Sequence, residues 1–287
     1  MIVLAGRHDE FAQALDSAPL LVLAAAAALQ ALALVSRCEA WNRCVRAAGG
    51  TVGRRRLYCA ASTGNLASQM NHQLGAAARI AVLRRLAPSD APRVPALIAA
   101  EVPIVTVEAL LAAITSFTLV GPLGLPWWVP LACLGPTLAV AVGLRSLAGR
   151  RDRPCWAGLA VLRSLNGRSW VIVLVLLAVF AQILRNWLVL DALGVHASLL
   201  DAIAVLIAMV VLSQLPVGPS VGAASVVAIL GSGGVAVAAA AGVLLTATGT
   251  IGALAFAAWA AADRLAHWRT SQARARPMLQ ATSGAKP

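Results

Sequence analysis

From Ser198 to Ala262 the chain runs 65 residues with a single charge, Asp201, close to its start. At about 20 residues per crossing of a bilayer, that length suits three passes, although Gly218-Pro219 and Gly231–Gly234 break its middle piece, Val221–Ala240, which could form a re-entrant pair instead of a simple span. The rest of the chain repeats the pattern on a shorter scale. Apolar spans are predicted at Pro19–Val35, Pro95–Val120, Pro126–Leu147 and Ser169–Leu190, separated by connectors dense in arginine. Over the whole chain 60% of the 287 residues are hydrophobic and the mean hydropathy is +0.82, whereas a soluble domain is about 45–50% apolar. The expected fold class is all-α: a polytopic membrane protein with six to eight membrane-inserted helices, two of them broken or re-entrant.

The net charge is +12, from 22 Arg and one Lys against 11 acids. In a soluble protein such a balance would point to nucleic acid. Here the arginines lie between apolar spans, which points to membrane topology and anionic lipid, with no nucleic acid partner. The connectors 37–56, 84–93 and 145–168 and the tail hold 20 of the 23 Lys and Arg, and loops 121–125 and 191–198 hold none. Trp127 and Trp128 beside the first of those loops suit interfacial anchors. The positive-inside rule places the connectors in the cytoplasm, the N-terminus outside and the C-terminus in the cytoplasm. The arginine-over-lysine bias fits a bacterial source, so the expected location is the bacterial cytoplasmic (inner) membrane. Parity then requires Leu57–Leu83 to enter and return on one side. Its 27 residues are too few for two crossings and enough for a re-entrant hairpin. The expected organisation is one membrane domain, 1–265, with a pseudo-repeat of two halves, about 15–150 and 165–265, and a basic cytoplasmic tail, 266–287, expected to be disordered.

Polar groups at membrane depth persist mainly where they line a cavity or bury against protein. The stretch Ser62–Arg85 carries Asn65, Gln69, Asn71, His72, Gln73 and Arg79. A second irregular stretch, Gln214–Gly222, contains Pro216, Gly218 and Ser220. Interrupted segments in corresponding positions of two halves point to a transport site. Arg79 either grips a phosphate head group with its fork of donors or snorkels to the interface beside Arg84 and Arg85. On a continuous helix Asn65, Gln69 and His72 would share a face and offer hydrogen bonds. Glu101 and Glu108 are seven apart, hence on one helix face, and either could pair with Arg79 or take up a proton. Glu108 lies deeper. Arg185 and Asp201 are expected to form a structural ion pair.

Other chemistries find little footing. The five cysteines show no CxxC pairing and no His lies near them in sequence, so neither metal nor cofactor is expected. Paired Asp motifs for a magnesium-held pyrophosphate are missing. Ser220 between two glycines has no convincing base, and Gly231–Gly234 lacks the strand-turn-helix setting of a nucleotide loop.

Several short segments together resemble the transmembrane region of the lysylphosphatidylglycerol synthases, a broad family of flippase-like integral membrane proteins. They are Arg37-x-x-x-Trp41, Gly64-Asn65 through Gly75-x-x-x-Arg79, Glu101, Arg185-Asn186-Trp187 through Leu193-Gly194, and Leu215-Pro216 through Gly222. The likeness covers most of residues 10–265. The chain departs from the family pattern at Ala76, Val102 and Ala223–Ser225, where charged residues are common. The resemblance implies binding and translocation of an amphiphilic lipid: a phospholipid, glycolipid or polyprenyl-phosphate lipid with an anionic or phosphate head group. Asn65, Gln69, His72, Arg79, Glu108, Pro216, Gly218 and Ser220 are the candidate substrate-binding residues. Aminoacyl transfer is not expected, because in the full synthases it belongs to a large soluble C-terminal domain. The alternatives are an intramembrane lipid-modifying transferase and a non-catalytic membrane partner subunit.

Overall fold

The computed structural model describes residues 19–68, 72–148, 159, 161–162, 165–195, 197–212, 221–230 and 235–283. Among them every regular element is helical. In chain order the α-helices are α1 (Leu20–Ala47), α2 (Arg54–Ser68), α3 (His72–Leu86), α4 (Val94–Thr115), α5 (Trp128–Ala148), α6 (Leu165–Ala192), α7 (Leu199–Leu212), α8 (Val221–Leu230) and α9 (Val235–Ser283). A 3-10 turn, Ser116–Leu119, and one further helical turn, Val120–Leu123, extend α4. Five helical segments are long and apolar enough to cross a membrane: Leu20–Ala47, Val94–Leu123, Trp128–Ala148, Gly167–Ala192 and Val237–Ala266.

The helix ends follow local chemistry. Pro19 precedes α1 in an extended conformation that starts a helix cleanly. At the other end Gly49, with φ of 88°, donates to the Arg46 carbonyl while Gly50 donates to Val45. Gly194, with φ of 69°, ends α6 in the same way, its N–H on Asp191 and that of Val195 on Leu190. In both cases a glycine takes the left-handed turn that lets the last carbonyls find donors. α1 runs well past the predicted end of its span, through Ser36–Ala47. The first half of the supposed connector is therefore helix, and it carries Arg37 and Trp41 into the interior.

The polar stretch is not one helix. It breaks between Ser68 and His72, and α2 and α3 pack antiparallel as a hairpin. A Cβ placed on Gly64 would lie 2.7 Å from the Arg79 Cβ and 2.8 Å from the Gly75 carbonyl oxygen. One placed on Gly75 would lie 2.6 Å from the Ser68 Cβ. Only glycine permits so close an approach of the two backbones. Each helix has 15 residues, about 22 Å at the α-helical rise of 1.5 Å per residue and short of a hydrocarbon core of about 30 Å. The base of the hairpin is closed by the Thr51 N–H on the Asp90 carbonyl and by an exposed ion pair, Arg56 to Asp90 at 3.0 Å. Because that pair is solvated, Asp90→Asn is expected to change stability by less than about 1 kcal/mol, read as a shift in the unfolding midpoint.

Among the described residues the segment 198–262 holds one helix of crossing length and two shorter ones, α7 and α8. α7 has 14 residues and α8 has 10, separated by residues outside the described set. α8 packs on the start of α9, where a Cβ on Gly242 would meet the Ala223 nitrogen and the Gly222 oxygen, each at 2.5 Å. α9 continues through most of the basic tail, to Ser283.

Packing divides into two main clusters. Trp41, Val45, Leu57, Leu83, Leu97 and Val175 join α1, α2, α3, α4 and α6. Val189, Leu190, Val205, Val226 and Leu245 join α6, α7, α8 and α9. α2 also docks on α9, through the ring cluster of Tyr58, Phe256 and Trp259 and the ion pair Arg55–Asp263 at 2.8 Å. The side chains of Trp127 and Trp128, next to the α4–α5 turn, are exposed, as interfacial anchors would be.

Candidate functional site

Two cavities lie side by side in the interior. The smaller, about 150 Å³, is lined by Gly64, Asn65, Ser68 and Gly75 of the first hairpin, by Arg79, and by Glu101 and Glu108 of α4. The larger, about 550 Å³, lies between α1, α4, α6, α7 and α9. Arg37, Ser68, Val105 and Glu108 line both.

Two ion pairs line these cavities, Arg37–Glu108 on the wall they share and Arg79–Glu101 in the smaller one. The Arg79 guanidinium donates to the Glu101 carboxylate and lies over the Trp41 ring, 4.6 Å from its centroid. Arg37 pairs with Glu108 at 2.6 Å. The two acids, seven apart on α4, do share one face, and so do Arg37 and Trp41, four apart on α1. The result is a ladder in which arginines of α1 and α3 grip carboxylates of α4. Charges held partly away from water are costly unless they are paired or hydrogen-bonded. Arg79 therefore turns to Glu101 instead of snorkelling beside Arg84 and Arg85, and Glu108, the other suggested partner for it, belongs to Arg37.

Asn65 and Ala76 line the small cavity together although they sit on different helices. Of the face expected for Asn65, Gln69 and His72, Asn65 lies on α2 and His72 on α3, while Gln69 lies outside the described residues. Gln69, Asn71, Pro216, Gly218 and Ser220 lie outside the described residues, and so do the side chains of His72 and Gln73. The elements flanking both breaks nevertheless converge. Ser68 at the end of α2, Met209 and Val210 near the end of α7, and Gly222 at the start of α8 all line the larger cavity.

Arg185 departs most from expectation. It makes no ion pair with Asp201, whose carboxylate instead accepts from the Ser198 N–H at 2.9 Å and hydroxyl at 2.7 Å and so caps α7. Arg185 is 5% exposed. It donates to Gln30 Oε1 at 3.0 Å, to Thr248 Oγ1 at 3.1 Å from Nη2 and 3.4 Å from Nε, and to the Leu245 carbonyl. All of these acceptors are neutral. Beside it Asn186 is 1% exposed, with neither its amide nitrogen nor its oxygen bonded to a described residue.

The sequence reading missed Arg37, Gln30 and Asn186 as lining groups. Gln30 did carry a signal, as the one polar residue in the apolar run Pro19–Val35. Arg37 was counted among the connector charges because the first span was ended too early. No protein-family model, curated protein or solved structure matches the chain.

Proposed function

We propose that the protein binds an amphiphilic membrane lipid and moves its head group across the bilayer. The observation that carries this reading is the convergence of the two helix breaks on one charged interior cavity. In transporters, short helices interrupted at depth frame the substrate site near the midplane. Here α2–α3 and α7–α8 are the short elements. On this reading the five helices of crossing length among the described residues, an odd number, put the termini on opposite sides. The basic connectors then place the open end of α2–α3 toward the cytoplasm as a re-entrant hairpin, while α7 begins on the other side.

The walls suit a two-part ligand. Val105, Leu176, Phe180 and Val210 line the cavity yet are exposed on the protein surface, so its mouth between α4, α6 and α7 is apolar and faces the lipid. A head group would occupy the polar interior near Arg37, Glu108, Arg79 and Asn65, while the chains stay in the bilayer. A lipid-modifying transferase would need a carboxylate free to act, and Glu101 and Glu108 are both held by arginine, which favours a carrier.

The test is reconstitution. Vesicles containing the purified protein should move fluorescent lipids between leaflets faster than protein-free vesicles, for at least one head group in a panel of phospholipids, glycolipids and polyprenyl phosphates. Equal rates across the panel would overturn the proposal.

A further inference from the structure

Four residues line both cavities: Arg37 of α1, Ser68 of α2, and Val105 and Glu108 of α4. They form the partition between the larger cavity, whose mouth faces the lipid, and the smaller one behind it, walled by the α2–α3 hairpin. Ser68 and Val105 are short. Only Arg37 and Glu108 have side chains long enough to cover or clear a passage, and they meet tip to tip, Nη2 to Oε1 at 2.6 Å. The hairpin wall has little freedom to move as backbone. A Cβ on Gly64 or Gly75 would lie 2.7 Å or 2.6 Å from the other helix of the hairpin, so the two are locked together. Any passage between the cavities therefore opens through side chains.

The two ion pairs differ in how firmly they are held. Arg79 has two anchors, the Glu101 carboxylate and the Trp41 ring 4.6 Å away. Arg37 has one among the described residues, Glu108. The Arg37 side chain is 33% exposed and that of Glu108 26%, against 19% and 15% for Arg79 and Glu101. A partly solvated ion pair contributes little, so parting it costs little. Exposed side chains change rotamer within picoseconds to nanoseconds. Arg79–Glu101 is thus the fixed pair, and Arg37–Glu108 is the one able to part.

We infer that Arg37 and Glu108 form a gate between the two cavities: their ion pair closes the partition, and rotation of the two side chains apart joins the lipid-facing chamber to the hairpin chamber. The gate deepens the carrier reading above, and its part in transport rests on that reading. A head group entering from the lipid has to pass it to reach Arg79 and Asn65 in the smaller cavity. A charged head group offers one member of the pair a replacement counter-charge as it passes, so opening leaves no bare ion, whereas an uncharged lipid has none to offer.

Cys38 can report on the gate. It lines the smaller cavity and is 2% exposed, while Cys44, on the same helix, lines neither cavity and is fully buried. Two versions of the full chain keep one of these cysteines each, with the remaining cysteines changed to alanine. Both are held in lipid nanodiscs, treated with N-ethylmaleimide, a small reagent that dissolves in lipid, and followed by intact mass spectrometry. R37Q/E108Q removes both charges of the pair. It should raise the rate of Cys38 labelling roughly 5-fold, the population shift expected on losing a partly solvated ion pair, and leave Cys44 unchanged. The charge swap R37E/E108R should return Cys38 to near the wild-type rate. E108D, one methylene shorter with its charge kept, should raise Cys38 labelling by less, and it carries the test if R37Q/E108Q does not fold. Equal Cys38 rates in wild type and R37Q/E108Q, or in wild type and E108D, would overturn the gate. So would a parallel rise at Cys44, which marks a loosened fold, or a charge swap labelled as fast as R37Q/E108Q. Gated labelling with no lipid crossing reconstituted vesicles would leave the gate standing and overturn the carrier. Lipid crossing together with ungated labelling would do the reverse.

Discussion

Glu101→Gln is expected to destabilise the protein by about 3–5 kcal/mol, the cost of leaving one partner of a buried ion pair without the other. The substitution keeps the shape of the side chain and removes its charge, so Arg79 stays ionised above Trp41 with no carboxylate to face. The ring still attracts the guanidinium, but a cation–π contact offsets only about 0.5–2 kcal/mol. Arg79→Gln should cost a similar amount for the opposite reason, an acid stranded in the interior. The double variant R79Q/E101Q removes both charges and should recover much of the loss. Thermal or denaturant unfolding of the four proteins in one detergent gives the coupling directly, and because the double variant should cost less than either single one, a coupling of at least about 3 kcal/mol is expected. Coupling near zero would mean that the two side chains act independently. Arg37 and Glu108 should show a smaller coupling of the same sign, because their side chains are more exposed than those of Arg79 and Glu101.

Gly242→Ala should be the most damaging single-methyl change in the chain. The added carbon would fall on backbone atoms of Gly222 and Ala223, which cannot rotate away as a side-chain tip could. Separating α8 from α9 by the needed fraction of an ångström opens contacts along the whole hairpin, a loss of at least about 1–3 kcal/mol as for other overpacked interiors. Gly75→Ala should act in the same direction on the first hairpin. Gly143→Ala in α5 is the matched control, since nothing lies within 4 Å of a Cβ placed there. It should leave stability unchanged or raise it by up to about 1 kcal/mol through helix propensity. The contrast between these signs, measured as melting temperatures in one detergent, tests the close crossings. Equal effects at positions 143 and 242 would show that the α8–α9 approach is looser than drawn.

The sequence made some of this legible and concealed the rest for identifiable reasons. Helical class and the positions of α4, α5 and α6 followed from the lengths of the uncharged runs. The α2–α3 hairpin followed from charge parity, because a segment too short for two crossings had basic residues at both ends. The common face of Glu101 and Glu108 followed from a spacing of seven. Their partners did not follow, since ion pairing across helices depends on packing angles that no periodicity encodes. Arg37 was the chief loss: an arginine just past an apolar run reads as a loop charge, and only the continuing helix turns it inward. Arg185 and Asp201 were joined because both lie toward the outer ends of their spans, whereas Asp201 has a nearer use in capping its own helix. The short α8, Val221–Leu230, followed from the glycines and proline on either side of it, Gly218-Pro219 and Gly231–Gly234, which mark the middle of 198–262 as broken.

The glycine crossings also have a genetic consequence. Every glycine codon changed at its first or second base specifies a residue with a Cβ, or a stop, while changes at the third base are silent. At Gly64, Gly75, Gly222 and Gly242 a Cβ has nowhere to go. These codons can therefore drift at the third base alone, and a saturation library selected for folded protein should return them as glycine written in all four synonymous spellings. Gly143, with open space around it, should be overwritten freely. The two hairpins would thus be visible in DNA as paired islands of purely silent variation, without any structure being solved.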